Sequence, residues 1–410
     1  MYSFERNLEK YAEVAVNVGV NLKEGQGVLL RANTESLDIA RLIVKKAYEA
    51  GAKHVQVLLS DDQMSLLRYQ YGSKQVFNEF PNWIKVGHEA MVEEDYTLIN
   101  VIAPNPELLK EINPELVAQD SKTASMAMER FMKATVTGEL KWNIIAVPSK
   151  AWAKAVFPEK TEEDGINALW EQIFNIARIN TENPVDAWKK HDEMLKFYSK
   201  YLNEKRFVKF NYKAPGTDLE VFMADEHVWI GGSTNDINGN PFMPNVPTEE
   251  IFSMPSKLKV NGTLKSTKPL NVRGQLIDGF GFTFKDGKVV DFYAEKGEKV
   301  LQGLLDTDEG ARYLGEIALV PDDSPISNSG LIFSNTLFDE NASCHFALGR
   351  AYAYNVKGGE HMEKEELAKR GANHSLIHVD FMVGSKNLEI IGETQDGEKI
   401  TIFKEGNWAI

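Results

Sequence analysis

Residues 372–385, ANHSLIHVDFMVGS, place His378 and Asp380 two positions apart in an otherwise largely apolar stretch. Alternate side chains of a β-strand point to opposite faces, so these two would share one face, whereas Val379 and Phe381 would lie on the other. An imidazole beside a carboxylate suits a divalent metal ion such as zinc or cobalt. For these two residues alone, a hydrogen-bonded Asp–His pair at a strand end is an equally good interpretation.

A second histidine, His345, lies seven residues before Tyr352 in NASCHFALGRAYAY. The apolar spacing predicts a helix capped by Asn341, with His345 and Tyr352 on one face. A core histidine hydrogen-bonded to the tyrosine is the alternative. Cys344 beside His345 suggests a cysteine nucleophile with a histidine base, but sequence neighbours point in different directions on a helix or a strand. We therefore favour a buried, unreactive thiol.

Carboxylates in two further segments complete the set. Glu316 is the only charge in YLGEIALVP, and a buried carboxylate must be paired, metal-bound or neutralised unless it lies at the exposed start of its strand. Glu249 and Glu250 lie in the proline-bounded NVPTEEIFSMP, which also reads as a surface turn. Together with the histidines and the tyrosine, these carboxylates are suited to a pair of divalent ions.

The elements that must position these residues differ between the two halves of the chain. Apolar runs predict strands in the first half at residues 26–33, 53–60, 95–104 and 142–149. An amphipathic helix at residues 35–52, ending near Gly51, makes the first two strands a parallel, right-handed βαβ unit. The second half is β-rich, and Asp286-Gly287 predicts a hairpin turn within residues 276–295.

These patterns predict the domain organisation and the fold class. We expect an α/β N-terminal domain at residues 1–205, helical at its end, because strands and helices alternate there. We expect an α+β C-terminal domain at residues 206–410, with a largely antiparallel sheet and the metal-binding residues. No Walker A sequence, G-x-S-x-G elbow or H-E-x-x-H motif occurs in the sequence, so the α/β half offers no recognisable phosphate site.

The composition narrows the classes of function. The 410 residues carry a net charge of -14, which argues against binding to nucleic acid or an anionic membrane surface. A single cysteine fits a reducing compartment. The N-terminus lacks the pattern of a secretory signal, and no apolar run approaches the length that spans a bilayer. We expect a cytoplasmic protein.

Over nearly its whole length the sequence resembles the thermophilic-type metallo-aminopeptidases, the family of aminopeptidases T, S and II. In the second half the resemblance is carried by NVPTEEIF, YLGEIALVP, NTLFDENASCHFALGRAY and HVDFMVG. In the first half it is carried by LKEGQGVLLRA, AYEAGAKHVQV and WNIIAVPSKAWAKAVFP. The resemblance implies a two-domain homodimer with its metal sites in the C-terminal domain, facing an internal cavity.

The resemblance also implies the roles of individual residues. The expected metal ligands are Glu250, Glu316, His345, Tyr352, His378 and Asp380. Many members of the family have glycine where this chain has Glu249, and the following Ile251-Phe252 aligns the ligand with Glu250. Tyr352 would ligate a metal or stabilise the oxyanion, and Glu316 would pass a proton to the leaving amine.

The expected activity is removal of N-terminal residues from peptides by a water that two divalent metal ions activate. Zinc or cobalt is expected, with manganese or magnesium as alternatives, and the substrates are peptides with a free N-terminus. The alternatives are another dimetal hydrolase, such as an amidase or phosphoesterase, and a non-catalytic peptide-binding protein. A peptide panel with free and acetylated N-termini separates the hydrolases, and elemental analysis identifies a metal-free binder.

Overall fold

The computed structural model describes residues 3–272 and 275–410. Two compact units share the chain, and each is made of several segments. The first unit consists of Met1–His191, Ser233–Pro247 and Ile332–Leu337. The second consists of Asp192–Gly232, Thr248–Leu331 and Phe338–Ile410. The single domain boundary near residue 205 stays a prediction.

The α-helices are numbered along the chain. Their bounds are α1 Phe4–Val14, α2 Leu37–Glu49, α3 Asp62–Tyr71, α4 Asn82–Glu93, α5 Pro114–Ala127, α6 Glu129–Thr137, α7 Lys150–Val156, α8 Glu162–Ile176, α9 Pro184–Lys205, α10 Glu298–Leu305, α11 Pro325–Ser329, α12 Thr336–Asp339 and α13 Lys364–Lys369. Within the described residues, no helix combines the length and the apolar character that crossing a membrane requires.

The strands are numbered in the same way. Their bounds are β1 Gly27–Asn33, β2 His54–Ser60, β3 Tyr96–Ile102, β4 Trp142–Ala146, β5 Lys209–Ala214, β6 Thr217–Met223, β7 Ile230–Gly231, β8 Thr234–Asn235, β9 Pro241–Phe242, β10 Asn245–Val246, β11 Ile251–Ser253, β12 Pro255–Lys265, β13 Leu270–Val272, β14 Gln275–Lys285, β15 Lys288–Lys296, β16 Leu314–Leu319, β17 His345–Gly349, β18 His378–Met382, β19 Glu389–Glu393, β20 Lys399–Lys404 and β21 Asn407–Trp408.

A parallel sheet forms the centre of the first unit, in the strand order β10-β4-β3-β1-β2. The predicted βαβ unit is present: β1 pairs with β2 in parallel, and α2 connects them. The middle of the run at residues 26–33 is apolar because helices cover both sides of the sheet. Val28 and Leu30 are buried, and Leu29 packs against Phe131 in a separate cluster.

Two antiparallel sheets build the second unit. One has nine strands, including the β14–β15 hairpin that Asp286-Gly287 predicted. Both residues of that turn have positive φ, which a two-residue hairpin loop of this type requires. The other sheet has the order β18-β17-β16-β11-β7. Its apolar face packs on the first through contacts such as Phe282 with Phe381, whose ring centroids are 5.2 Å apart.

This architecture is a mixed α/β fold, parallel in its first part and mostly antiparallel in its second, as the sequence predicts. The helix predicted to start at Asn341 is wrong. Residues 345–349 instead form β17, which lies between β18 and β16 in the small antiparallel sheet. The spacing of Phe346 and Leu348 fits a strand as well as a helix, and short apolar runs do not separate the two. Burial between neighbouring strands decides the outcome.

Candidate metal centre

One face of the small sheet carries the predicted ligands. Strand β17 pairs with β16 and β18, and its register sets Ala347 opposite Glu316 on one side and Asp380 on the other. The two carboxylates therefore point to the same face on either side of a side chain of one carbon. The small residue leaves room between them. A β-bulge between Leu314 and Glu316 adjusts the register at this point.

The histidines extend the same face. His345 lies two residues before Ala347 on β17, and His378 lies opposite Gly349 on β18. Glu250 directly precedes β11, which pairs with β16. As predicted, the other face of β18 is apolar: Phe381 belongs to the buried core and Val379 packs against it. The alternation seen in the sequence thus separates the side chains that face the core from the potential metal ligands.

Two groups of potential ligands result, and Glu316 belongs to both. The first group is Glu250, Glu316 and His345, and the second is Glu316, His378 and Asp380. Within each group the ligand atoms lie within 4.8 Å of one another. His345 Nε2 is 3.3 Å from a Glu250 oxygen and 3.6 Å from a Glu316 oxygen. Shared use of one carboxylate is the arrangement that a pair of neighbouring metal ions needs.

Backbone carbonyls fix the orientation of both imidazoles. His345 Nδ1 lies 3.1 Å from the Ser343 carbonyl oxygen, and His378 Nδ1 lies 2.7 Å from the Arg350 carbonyl oxygen. A carbonyl only accepts hydrogen bonds, so each Nδ1 carries the proton and donates it. In the neutral ring, Nε2 then presents its lone pair to the carboxylates. This orientation of the ring is typical of histidines that bind metal.

The protonation of the centre shows why it suits cations. Burial raises the pKa of Glu316 to about 7, against the opposing effect of His345. Burial lowers the pKa of His378, but Asp380 and Glu316 outweigh it and raise that pKa to about 9. Burial raises the pKa of Asp380, yet His378 and His345 hold it below its ordinary value. Buried carboxylates of this density need positive charge, and protons supply it when no metal does.

A buried oxygen without a hydrogen-bond partner tests whether these residues fit a metal ion. Asp380 Oδ1 is buried and accepts no hydrogen bond within the described residues, although His378 Nε2 is 3.4 Å away. A buried carboxylate oxygen without such a partner is costly, and a cation would compensate. The donor set of carboxylate oxygens and imidazole nitrogens is also what zinc, cobalt and manganese accept. The residues therefore fit a divalent metal centre.

An aromatic row borders the centre. The Tyr352 ring lies 4.6 Å from the His378 ring and stacks on Tyr354 at 5.2 Å, and Phe252 meets Tyr354 edge-on at 6.2 Å. Burial raises the pKa of Tyr352 well above its usual range, and Glu316 adds to this effect. The phenol therefore keeps its proton and can donate a hydrogen bond. Tyr352 reaches the centre from the segment after β17, not from a helix.

The structure thus brings together every residue singled out as a ligand: Glu250, Glu316, His345, Tyr352, His378 and Asp380. Glu249 is also buried, but it belongs to neither ligand group. Cys344 points away from His345, and its sulfur contacts the backbone of Val320. Burial raises the pKa of its thiol to about 12, which disfavours the nucleophilic thiolate form.

Sequence reasoning missed Glu340. Burial raises the pKa of this carboxyl group well above its ordinary value, and Glu250 and Asp380 raise it further. Glu340 thus lies within the electrostatic field of the ligands, although it belongs to neither group. In the sequence it follows Asp339 in a polar stretch and resembles a solvated residue. Its five-residue separation from His345 was the only available signal.

The fold and the donor set fit a metal-dependent enzyme, and comparison with known proteins identifies the family. The family described as thermophilic metalloprotease (M29) matches residues 4–408. Aminopeptidase 2 of Geobacillus stearothermophilus is 47% identical over 409 residues, which cover 100% of this chain and 99% of that protein. Aminopeptidase AmpS of Bacillus subtilis is 46% identical, with 100% of both chains covered.

A solved structure agrees with these relatives. The structure described as wild-type AmpT from Thermus thermophilus matches with a TM-score of 0.93 and 39% identity over 100% of both chains. The chain belongs to the M29 family of thermophilic metalloproteases. The resemblance to metallo-aminopeptidases found in the sequence is confirmed, and with it the expectation of a metal-dependent hydrolase that acts on peptide N-termini.

Proposed function

We propose that this chain removes N-terminal residues from peptides at a centre that holds two divalent metal ions. One ion would be held by Glu250, Glu316 and His345, and the other by Glu316, His378 and Asp380. The observation that supports this most strongly is the shared carboxylate, because one residue serves both ligand groups. The names of the relatives, all aminopeptidases, support the same activity.

Residues beside the proposed metal ions stabilise the oxyanion and attract the substrate. Bound divalent cations supply a Lewis acid and lower the pKa of a water molecule. Tyr352 keeps its proton and donates a hydrogen bond to the developing oxyanion of the first peptide carbonyl. Its stacking on Tyr354 holds the ring in place. The acidic surroundings attract the α-ammonium group of a free N-terminus.

Proton transfer requires a carboxyl group that can both take and return a proton. Glu316 was the choice from sequence, and its pKa of about 7 in the metal-free centre suits that role. Glu340 is a second candidate, because its pKa is also raised and it lies outside both ligand groups. With Glu316 engaged as a shared ligand, we assign proton transfer toward the leaving amine to Glu340.

Substitution of single ligands tests the proposal. His345→Ala and Asp380→Ala should abolish hydrolysis of an amino-acyl p-nitroanilide and lower the bound metal, while circular dichroism shows an intact fold. His361→Ala and Asp291→Ala are matched controls, because both residues are exposed and outside the centre. Full activity in either ligand variant would refute the assignment. Hydrolysis of N-acetylated substrates as fast as free ones would favour a general amidase.

The proposal also covers the identity of the metal, the assembly and the compartment. Zinc or cobalt fits the mixed oxygen and nitrogen ligands. The homodimer follows from the family resemblance, and the cytoplasmic location from the single cysteine, Cys344. Reconstitution of chelated protein with each ion, followed by analytical ultracentrifugation, tests the first two. A monomer with full activity would contradict the proposed dimer.

A further inference from the structure

Arg31, a cation in the first unit, pairs with no carboxylate among the described residues. The Arg31 side chain is partly buried, and its guanidinium carbon lies 5.2 Å from the centre of the Phe131 ring. Within the described residues it forms no ion pair or hydrogen bond, and burial alone lowers the pKa of this group. A guanidinium has five N–H donors, so the lack of any hydrogen-bond acceptor for Arg31 among the described residues is unusual. Such a group costs stability unless something binds it.

A buried acceptor faces the same aromatic ring. His88 is 5% exposed, and its ring meets Phe131 edge-on at 5.0 Å. Its Nδ1 lies 2.7 Å from the Ile84 carbonyl oxygen, so the proton is on Nδ1 and Nε2 is an acceptor. Among the described residues, no group bonds to this Nε2. Burial lowers the pKa of His88 and the charge of Arg31 lowers it further, so the ring is neutral.

The position of these groups in the sheet adds a third observation. Arg31 on β1 is in register with Asn100 on β3, near the carboxyl ends of both strands. Strand β2 lies on one side of β1 and β3 on the other, so the strand order reverses between β1 and β3. Ligands of open parallel sheets bind at the carboxyl ends of the strands at such a reversal. The Asn100 amide makes no side-chain hydrogen bond in the described part of the chain.

We propose that Arg31, His88 and Asn100 form a binding site for a small carboxylate that carries an N–H group close by. The guanidinium pairs with the carboxylate and the His88 Nε2 accepts from the N–H, while the buried Phe131 ring contacts both side chains and holds them in place. This is the chemistry of an N-acylated amino acid and of the C-terminal residue of a peptide. The site is made of residues of the first unit and does not depend on the proposed activity of the metal centre.

The donor set favours a carboxylate over a phosphate. One guanidinium matches the two oxygens of a carboxylate. A phosphate brings additional anionic oxygens, which the lone pair of His88 Nε2 would repel. The glycine-rich loop that usually surrounds phosphates after the first strand is also missing, since the sequence there is RANTES. A purely structural arginine would be expected to have an acidic or carbonyl partner, which Arg31 lacks in the described residues.

Calorimetric titration with N-acetyl-leucine tests the site, because an acetylated amine is not an aminopeptidase substrate. The full-length, metal-loaded protein should bind it, and N-acetyl-leucinamide, which lacks the carboxylate, should bind at least about 10-fold more weakly. Arg31→Gln should weaken binding of the acid by a similar factor. Arg41→Gln is the control, since Arg41 is exposed and pairs with Asp38. A Glu316→Gln background should retain binding, which excludes the metal centre as its location.

The outcomes are decisive in both directions. Equal binding of acid and amide, or unchanged binding by Arg31→Gln, would overturn the proposal. Binding of inorganic phosphate that N-acetyl-leucine does not displace would overturn the carboxylate assignment. Arg31→Gln should melt no lower than the wild type, because it removes an unpaired charge. If Arg31→Gln melts lower than the wild type, His88→Phe tests the site instead. This variant removes only the acceptor and should still weaken binding of the acid several-fold.

Discussion

The parallel sheet of the first unit and the small antiparallel sheet of the second use their faces differently. Strand β1 is apolar along most of its length, and Leu30 and Leu29 pack on opposite sides of it. In β18, one face holds Phe381 in the core and the other presents His378 and Asp380. Helices occupy both faces of a parallel sheet, so its chemistry is confined to strand ends. The antiparallel sheet has a whole face available for ligands.

The comparison also explains how precise each region must be. A core tolerates exchange of apolar residues at roughly constant volume. Its signal in the sequence is therefore the content of apolar residues and their periodic spacing. The proposed metal centre depends on register, because Glu316, Ala347 and Asp380 must lie side by side on three strands. A slip of one residue in β18 would turn both of its ligands into the core.

The largest effect is expected from the carboxylate shared by both ligand groups. Glu316→Gln keeps the shape but removes the charge, so kcat/KM should fall by about 10³ or more, and bound metal should fall with it. Steady-state kinetics and elemental analysis measure both. Glu309→Gln is the control, because Glu309 is exposed in the segment before β16. Activity within tenfold of wild type would mean that the two groups do not form one centre.

A core substitution in the other region should produce the opposite pattern. Leu30 is fully buried in β1, so Leu30→Ala should lower the free energy of unfolding by about 2–5 kcal/mol. The variant should keep its metal and its kcat at a temperature where it is folded. Denaturant unfolding and a leucyl p-nitroanilide assay measure the two effects. If the variant lost metal but kept its stability, packing in β1 and metal binding in the second unit would not be independent.

The pH dependence of stability should distinguish metal-free from metal-loaded protein. In the metal-free centre, the pKa of Glu316 is raised from 4.5 to about 7, and that of His378 from 6.5 to about 9. The folded state then binds more protons than the unfolded chain, so stability falls as pH rises from about 4.5 to 9. The loss of stability should be on the order of 3 kcal/mol. This is less than the sum of the two separate shifts, because Glu316 and His378 interact and do not titrate independently.

Metal binding should reverse this trend, since cations favour the deprotonated ligands. Thermal melting of chelated and cobalt-loaded protein across this pH range is the measurement. Parallel curves for the two forms would argue against metal binding at these residues. The comparison is sharpened by Leu30→Ala, which should shift both curves downward without changing their shape.

The smallest effect concerns the tyrosine beside the centre. Tyr352→Phe keeps the stacking on Tyr354 and His378 but removes the hydroxyl. We expect kcat to fall by about 10-fold to 100-fold with little change in KM, because the hydrogen bond strengthens in the transition state. Tyr354→Phe should have a much weaker effect, which makes it the matched control. Equal losses in both variants would assign Tyr352 a packing role only.

The sequence predicts the two regions to different extents. Strands β1–β4 and the β14–β15 hairpin follow from apolar runs and from Asp286-Gly287, since local signals suffice there. Strand β17 was predicted as a helix, because its apolar spacing fits both and only pairing with β16 and β18 decides. The proposed ligands follow from residue type and family resemblance, and the structure brings them together. Glu340 and Tyr354 were missed, because only tertiary packing brings them to the centre.

The central claim is that Glu316 joins two ligand groups into one dimetal centre. Anomalous diffraction from crystals grown with zinc tests it most directly. The account predicts two peaks on the face of the small sheet, one beside Glu250 and His345, the other beside His378 and Asp380, with Glu316 between them. A single peak that Glu316 does not touch, or zinc bound only elsewhere in the chain, would contradict it.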